Sequence, residues 1–423
     1  MRSSLSSPLP RYRLFHPRDS TETLPMSTPH TLQPDDLMEE GGDVVRRAQE
    51  ACWYAETSMG KAVLRYREVH DLLRDARFRN MGTDVLTRQG VTEGLVRRMY
   101  EGFLLSTEGA AHARLRGLLK KGFTPDAVDA LRPRMRERMH ALLDEIGDRT
   151  EFDFVTAVAE RFPGQVIIEL LGLPVSFEDP DFRRWCSDLG YIVGLEVKKH
   201  LPRLEAAFEG LRGYIEPTIA ARRAEPRGDL ISTLAAAEQN GDRFSEEELV
   251  CQIVALLFGG LDTTRRTIGK AFLVMLEHPD QRRLLQERPD LAEPAAEEIL
   301  RYAPGTRVAV RVATCDLELH GVPIRAGEMV IAATGAANRD PRVFEAPETF
   351  DITRRGAAPL SLGAGPHHCL GAYLARAELQ EAVPILTRRL TEAALASPVV
   401  VRTAREGSPG PRVIPLRCRV RPR

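Results

Sequence analysis

Cys369 stands in a glycine-rich run, Pro359 to Leu379 (PLSLGAGPHHCLGAYLARAEL), just ahead of a stretch with helix-forming composition. Gly363, Gly365 and Gly371 permit turns closed to other residues and let a bulky planar ligand approach the backbone. Ala372 to Leu379 carries apolar residues at helical spacing, which places the cysteine at, or just before, a helix N-terminus. Free amides there stabilise a thiolate and lower its pKa, making a metal ligand or a nucleophile. Three other groupings have chemistry in them. His112 and Arg116 lie one helical turn apart and offer donors to one anion. Asp262-Thr263-Thr264 follows Gly259-Gly260 inside an apolar helix, and an alcohol beside an acid suits proton transfer because it donates and accepts at once. Glu298 and Arg301, at i and i+3, share one helix face.

Each grouping also has a plainer reading. A lone cysteine in a glycine-rich turn is often a small buried apolar residue. Zinc held by His367, His368 and Cys369 lacks a second Cys/His pair at ligand spacing. A cysteine hydrolase needs a base oriented by a third group, which no pattern in the chain identifies. Haem ligated by a thiolate is the fourth reading. His112 and Arg116 fit a solvated basic face. Gly-Gly fits close helix packing, the threonines fit back-bonding to the preceding turn, and an i,i+3 ion pair at a surface is worth little.

The stretch around Cys369 resembles the haem-binding signature of the cytochrome P450 superfamily, F-G-x-G-x-H-x-C-L-G-x-x-L-A-R-x-E-L. Gly363, Gly365, His367, Cys369, Leu370, Gly371, Leu374, Ala375, Arg376, Glu378 and Leu379 are in register, and Leu362 replaces the usual phenylalanine. Three further stretches are similar to family motifs. His112 and Arg116 match H-x-R-x-R, with Ala110-Ala111 where Pro-Glu is usual. GGLDTT matches A-G-x-[DE]-T-[TS], with Gly259 for the usual alanine. EEILRYAP supplies E-x-x-R, while Thr349 removes the arginine of the downstream P-E-R-F-like segment, so that Arg339 or Arg354 would take its place.

What the resemblance implies is a haem-thiolate monooxygenase of the cytochrome P450 fold, with a long central helix over the haem. Cys369 would be the axial ligand of the iron in haem b. His112, Arg116 and Arg311 would hold the propionates, His367 would be a further cofactor-binding residue, Gly260 would border the oxygen groove, and Glu298 with Arg301 would brace the core beneath the haem. Thr263 would hydrogen-bond the distal oxygen while Asp262 passes protons inward. Dioxygen would be the co-substrate. Electrons would come from NAD(P)H through a ferredoxin or flavodoxin-type partner and its reductase, docking where Lys120, Lys121 and Arg376 supply positive charge. The implied outcome is hydroxylation or epoxidation of a small or carrier-bound molecule in specialised-metabolite, including antibiotic, biosynthesis. Phenol coupling, peroxide-driven oxidation, or a recruitment module without oxygen chemistry are the alternatives; retention of Cys369, Asp262 and Thr263 weighs against them.

Composition agrees with a large water-compatible enzyme. The 423 residues are 43% hydrophobic and 28% charged with net charge −1, so neither nucleic acid nor a membrane surface is indicated as a partner. Only six of 59 basic residues are lysines, a bias typical of GC-rich bacterial genomes. Six cysteines without framework spacing suit a reducing cytoplasm. The longest apolar run, Ile253 to Leu261, is broken by two glycines and too short to span a bilayer. A monomer is expected.

Along the chain, residues 1–30 are rich in Ser, Pro and Thr and read as a disordered extension, with Met26 a possible start; 31–423 read as one catalytic domain. The pattern predicts a fold mainly α with a smaller β region. A short helix is expected from Asp43 to Glu50, a strand at Ala62 to Tyr66, a helix in REVHDLLRDARFR, and no pattern from Asn80 to Leu105, which would cover the distal pocket. Helices flank the charged connection holding Glu196, Lys198 and Lys199 and would lid the substrate channel. Ser245 with Glu248 forms a capping box that starts a helix to about Glu277, roughly 48 Å at 1.5 Å per residue. Val308, Val310 and Val312 and the run Met329 to Ala333 predict strands. Thr306 to Ala309 should line the pocket, with Arg307 reaching solvent, a propionate or a substrate carboxylate. Val399 to Val401 and Val413 to Leu416 predict a terminal hairpin whose tip, Gly407 to Pro411, dips into the pocket.

Overall fold

The computed structural model describes residues 29–38, 42–239, 241–402 and 409–423. The element that crosses the molecule begins at the expected capping box. Ser245 Oγ accepts from Glu248 N at 3.1 Å, and Glu248 Oε2 accepts from Ser245 N at 2.8 Å. From there the helix Glu246–Glu277 runs unbroken for 32 residues and stops where Pro279 bars His278 from helical geometry. Leu249, Ile253, Val254, Leu257, Ile268 and Phe272 send one face of it into the main apolar core. Helices Arg161–Leu171, Leu201–Ala224 and Ala372–Arg389 pack against it. Arg132–Ile146 and Ala292–Tyr302 pack in turn against the last of these.

The β region is smaller, and the fold is mainly α, as the sequence indicates. A five-stranded sheet has the order Tyr54–Thr57, Gly60–Val63, Met329–Ala332, Ala309–Ala313, Phe78–Asn80. Gly60–Val63 runs parallel to Met329–Ala332, with Ala62 opposite Ile331; the other pairings are antiparallel. Gly60 has φ +120°, and a Cβ there would lie 2.1 Å from Met329 O, so only glycine lets the hairpin dock on its neighbour.

Several boundaries differ from the sequence reading. The strand expected at Ala62 to Tyr66 ends at Val63, because Asp340 Oδ2 accepts from Tyr66 N at 2.9 Å and opens the helix Tyr66–Arg74. The segment Asn80 to Leu105 contains the short helices Asp84–Thr87 and Leu95–Gly102. Gln252 of the central helix clasps the end of the second one, donating to Gly102 O at 2.5 Å and accepting from Leu104 N at 3.2 Å. The two helices flanking the charged connection are Pro180–Asp188 and Leu201–Ala224, joined by 3-10 turns at Leu189–Val193 and Val197–His200.

The expected C-terminal hairpin forms, with Val400 opposite Val413, but Pro415 and Leu416 run on into a second sheet. Val400–Arg402 pairs with Gly410–Val413, whereas Pro415–Val420 pairs with Leu390–Leu395 and Glu151–Asp153. Gly407 lies outside the described residues. Pro409 and Pro411 rest on the central helix, accepting from Arg266 and Arg265, and neither lines the cavity. Of the proposed N-terminal extension, residues 1–28 and with them Met26 lie outside the described part; His30 O already accepts from Glu56 N at 2.8 Å.

Candidate active site

Two 3-10 turns, Leu360–Leu362 and Gly365–His367, carry the chain to Cys369. Gly365 has φ +70°, and a Cβ there would come within 2.7 Å of Leu73 O, so the loop lies directly on the Tyr66–Arg74 helix. Cys369 N donates to Leu362 O at 2.8 Å, Gly371 is the N-cap, and Ala372–Arg389 comes next. Cys369 is therefore two residues before the N-cap and outside the helix. Its side chain is exposed by area yet deep among protein atoms, because its open face looks into a cavity and not into bulk solvent. Depth governs the thiol. Burial pushes its pKa up, against the Gly371 amide and the Arg116 and Arg376 guanidiniums, which reverses the lowering expected from the helix terminus alone.

The cavity, a void of about 1370 Å³ with its mouth included, is bounded by Cys369, His112, Arg116, His367, Gly260 and Thr263. Phe103, Leu104, Leu105, Ile167, Ala255 and Leu256 make an apolar wall. His112 sits on the helix Gly109–Leu119 and is buried, and its Nε2 has no hydrogen-bond partner. Burial, then His367 and Arg116, lower its pKa to about 4. Its ring centroid is 4.2 Å from that of His367. Arg116 Nη2 donates to His368 O at 2.6 Å. An orphaned buried imidazole nitrogen next to a guanidinium is a donor set awaiting an anion, and the thiol facing the same void offers a soft metal ligand. At Gly259 and Gly371 a Cβ would meet nothing within 4 Å, which leaves room for a flat group. These residues fit a haem with its propionates.

Arg311 and Asp262 are not among the residues bounding the cavity. Arg311 is buried and donates to Asn80 Oδ1, while Asn80 N donates to Glu108 Oε1 at 2.6 Å and Glu108 Oε2 lies 3.0 Å from His367 Nε2. Arg311 thus stands behind His367, two residues removed; burial lowers its pKa to about 10 against the pull of Glu108. Asp262 turns away from the void toward Arg265 (2.7 Å) and Arg266 (3.2 Å). Burial works to raise its pKa, but Arg266, Arg265 and Arg402 outweigh it and hold the carboxyl below its usual range. Asp262 Oδ2 has this ion-pair contact without a well-aligned hydrogen bond. Thr263 Oγ1 donates to Gly259 O at 2.5 Å, the back-bond of the plainer reading, and a Cβ on Gly260 would sit 3.2 Å from Ile167. Arg307 is buried toward Leu37 and Gly335, away from solvent and from the cavity, while Thr306 does line it.

Glu378 also faces the void, fully buried, with Thr264 Oγ1 3.4 Å from its Oε2. Burial raises its pKa well above the ordinary value, which favours the neutral acid. The signal was present as a single acid on the apolar face of Leu374, Ala377 and Leu379, but in the sequence it reads only as a motif position. Below the loop, Glu298 and Arg301 are buried and bidentate at 2.7 and 2.8 Å. Of the two substitutes for the arginine lost at Thr349, Arg354 is the one that completes the network, with its Nε 3.1 Å from Glu298 Oε2. Arg339 instead pairs with Glu348. Arg301 donates to Asn338 O at 3.0 Å, and Asn338 Oδ1 accepts from Leu360 N at 2.7 Å, which ties the pair to the cysteine loop.

A family model for cytochrome P450 matches residues 86–391. Luteothin monooxygenase from Streptomyces thioluteus is 36% identical over 376 residues, covering 88% of this chain and 92% of that protein. Mycinamicin IV hydroxylase/epoxidase from Micromonospora griseorubida is 38% identical over 339 residues, covering 79% and 83%. The crystal structure of CalO2 superimposes with a TM-score of 0.84 at 30% identity, over 92% of this chain and 98% of that one.

Proposed function

Since the chain belongs to the cytochrome P450 family, we propose that Cys369 would hold the iron of a haem b as its thiolate ligand, with His112, Arg116 and His367 available to its propionates and Arg311 supporting them through Asn80 and Glu108. The enzyme is a monooxygenase acting by hydroxylation or epoxidation. Bound at this thiolate, the haem iron supplies dioxygen activation and oxygen insertion. The observation that carries the reading is that Cys369, the orphaned His112 nitrogen and Thr263 all face one void.

The remaining chemistry falls to side chains. Arg116 spans the propionate end and the His368 carbonyl, fixing the cysteine loop against the helix Gly109–Leu119. The Thr263 hydroxyl, released from Gly259 O, would donate a hydrogen bond into the cavity, and the broken back-bond would open the local groove. When its arginine partners let it turn, Asp262 would take a proton from water and pass it to Thr263, replacing the one the hydroxyl gives up. Phe103, Leu104, Ala255, Leu256 and Ile167 exclude water and receive an apolar, uncharged portion of the substrate. The family works with redox partners; here the electrons come from NAD(P)H through a ferredoxin or flavodoxin-type protein. No described helix is long and apolar enough to cross a membrane. The relatives' names point to specialised metabolism as the setting.

The deciding measurement is the absorption spectrum of the reduced protein with carbon monoxide, for wild type and Cys369→Ala. A strongly red-shifted Soret band that the substitution abolishes is expected. A haem-free protein, or a band typical of histidine ligation in the wild type, overturns the assignment.

A further inference from the structure

Asp262 is enclosed by groups from two parts of the chain. Arg265 and Arg266 come from its own helix; Arg402 comes from the strand Val400–Arg402, its Nη1 3.8 Å from Asp262 Oδ1. The two helical arginines are anchored elsewhere as well. Arg265 donates to Pro411 O at 3.0 Å, and Arg266, almost wholly buried, donates to Gly305 O and to Pro409 O. They stay with the helix whatever the surroundings do.

Arg402 has a different second anchor. A Cβ on Gly190 would lie 3.1 Å from Arg402 Nη1, and its guanidinium is 5.7 Å from the Tyr191 ring centroid. Tyr191 belongs to the turn Leu189–Val193 in the connection between the two channel-flanking helices. The ring is gripped from its other neighbours too: His200 stacks on it at 3.9 Å, Arg203 lies 4.8 Å from its centroid, and Arg203 Nη1 donates to its hydroxyl at 3.1 Å. A cation beside an aromatic ring in a partly desolvated place is drawn to the ring's negative face. One side chain therefore touches the proposed proton carrier and the turn of the proposed lid.

We propose that Arg402 is a positioning residue that couples the turn Leu189–His200 to Asp262, adding a third cation to the carboxylate while Tyr191 is seated and leaving it to Arg265 and Arg266 when the turn lifts. The two ends share one guanidinium, so displacement of either weakens the other. Arg265 and Arg266 are held elsewhere, Arg265 on Pro411 O and Arg266 on Pro409 O and Gly305 O, whereas the Tyr191 ring is contacted by Arg402. The proposal rests on Asp262 serving the reaction as described above, but its test reads the coupling directly and stands or falls without turnover.

The test is amide hydrogen exchange in the holoenzyme for Arg402→Gln, Tyr191→Leu and the double variant. Each single substitution is expected to speed exchange across 189–200 by about fivefold, the range of a partly buried charge contact, and the pair to add nothing beyond the larger single effect. Arg402→Lys should restore part of the protection, and Asp262→Asn should speed exchange in the same segment. Unchanged exchange there in Arg402→Gln, or strictly additive effects in the double variant, overturns the coupling. So does equal acceleration in the helix Arg132–Ile146, which marks general destabilisation.

Discussion

Glu378 is a carboxyl group with apolar neighbours and one hydroxyl, that of Thr264, within reach. Its folded pKa is raised, by burial above all, so the folded state holds the proton more tightly than the unfolded state does. The stability this gives is complete below the unfolded carboxyl range and is lost as pH rises toward the folded value. Glu378→Gln, which mimics the neutral acid, should therefore melt close to wild type near pH 4.5 and increasingly above it from pH 5 to 8. A wild-type melting temperature that holds level across that range while the variant does the same would show that Glu378 is ionised in the fold. The sequence makes Cys369, His112, Arg116 and Thr263 legible because long motifs fix their spacing. Arg265 and Arg266, at i+3 and i+4 from Asp262, were open to the same helical arithmetic. Arg402 and the turn of Arg311 toward Asn80 were not, since both depend on which strands meet, and single-chain spacing carries no record of that.

At the scale of elements, the central helix contains a pair of glycines whose two positions have opposite surroundings. A Cβ on Gly259 meets nothing within 4 Å, whereas one on Gly260 meets Ile167 at 3.2 Å. Gly259→Ala should raise stability by about 1 kcal/mol through helix propensity alone, and its methyl group should narrow the cavity and weaken binding of bulky ligands. Gly260→Ala gains the same propensity but presses on a packed side chain, at a cost of roughly 1–3 kcal/mol. Thermal denaturation of the two variants side by side is the check, and equal shifts would mean that the helix face has been assigned wrongly. The capping box that starts this helix was readable because Ser245 and Glu248 are local. The strand Tyr54–Thr57 was hidden, because its pairing with Gly60–Val63 is sealed by Met329 from a distant part of the chain.

Over the whole molecule the net charge is −1, so no global field steers a partner, and docking must depend on local charge. The helix that carries His112 and Arg116 is followed by Lys120 and Lys121, both exposed, and Lys120 is close enough to His368 to lower its pKa, after burial and the nearby arginines. Arg376, the third residue expected on this face, is engaged by Glu297 at 2.5 Å and contributes a pair rather than a free charge. The two lysines are thus exposed cations that this face offers a partner beside the cysteine loop, where exposed Arg74 also lies against Gly365. Replacing both with glutamate should slow reduction by an acidic iron–sulfur partner about tenfold at low ionic strength. The deficit should shrink as salt shortens the screening length from about 10 Å at 0.1 M to about 3 Å at 1 M. Stopped-flow reduction under carbon monoxide reads both quantities. A rate that ignores the reversal at low salt would move the docking site off this face, whereas a deficit that persists at high salt would assign the lysines to the structure of the loop instead of to steering.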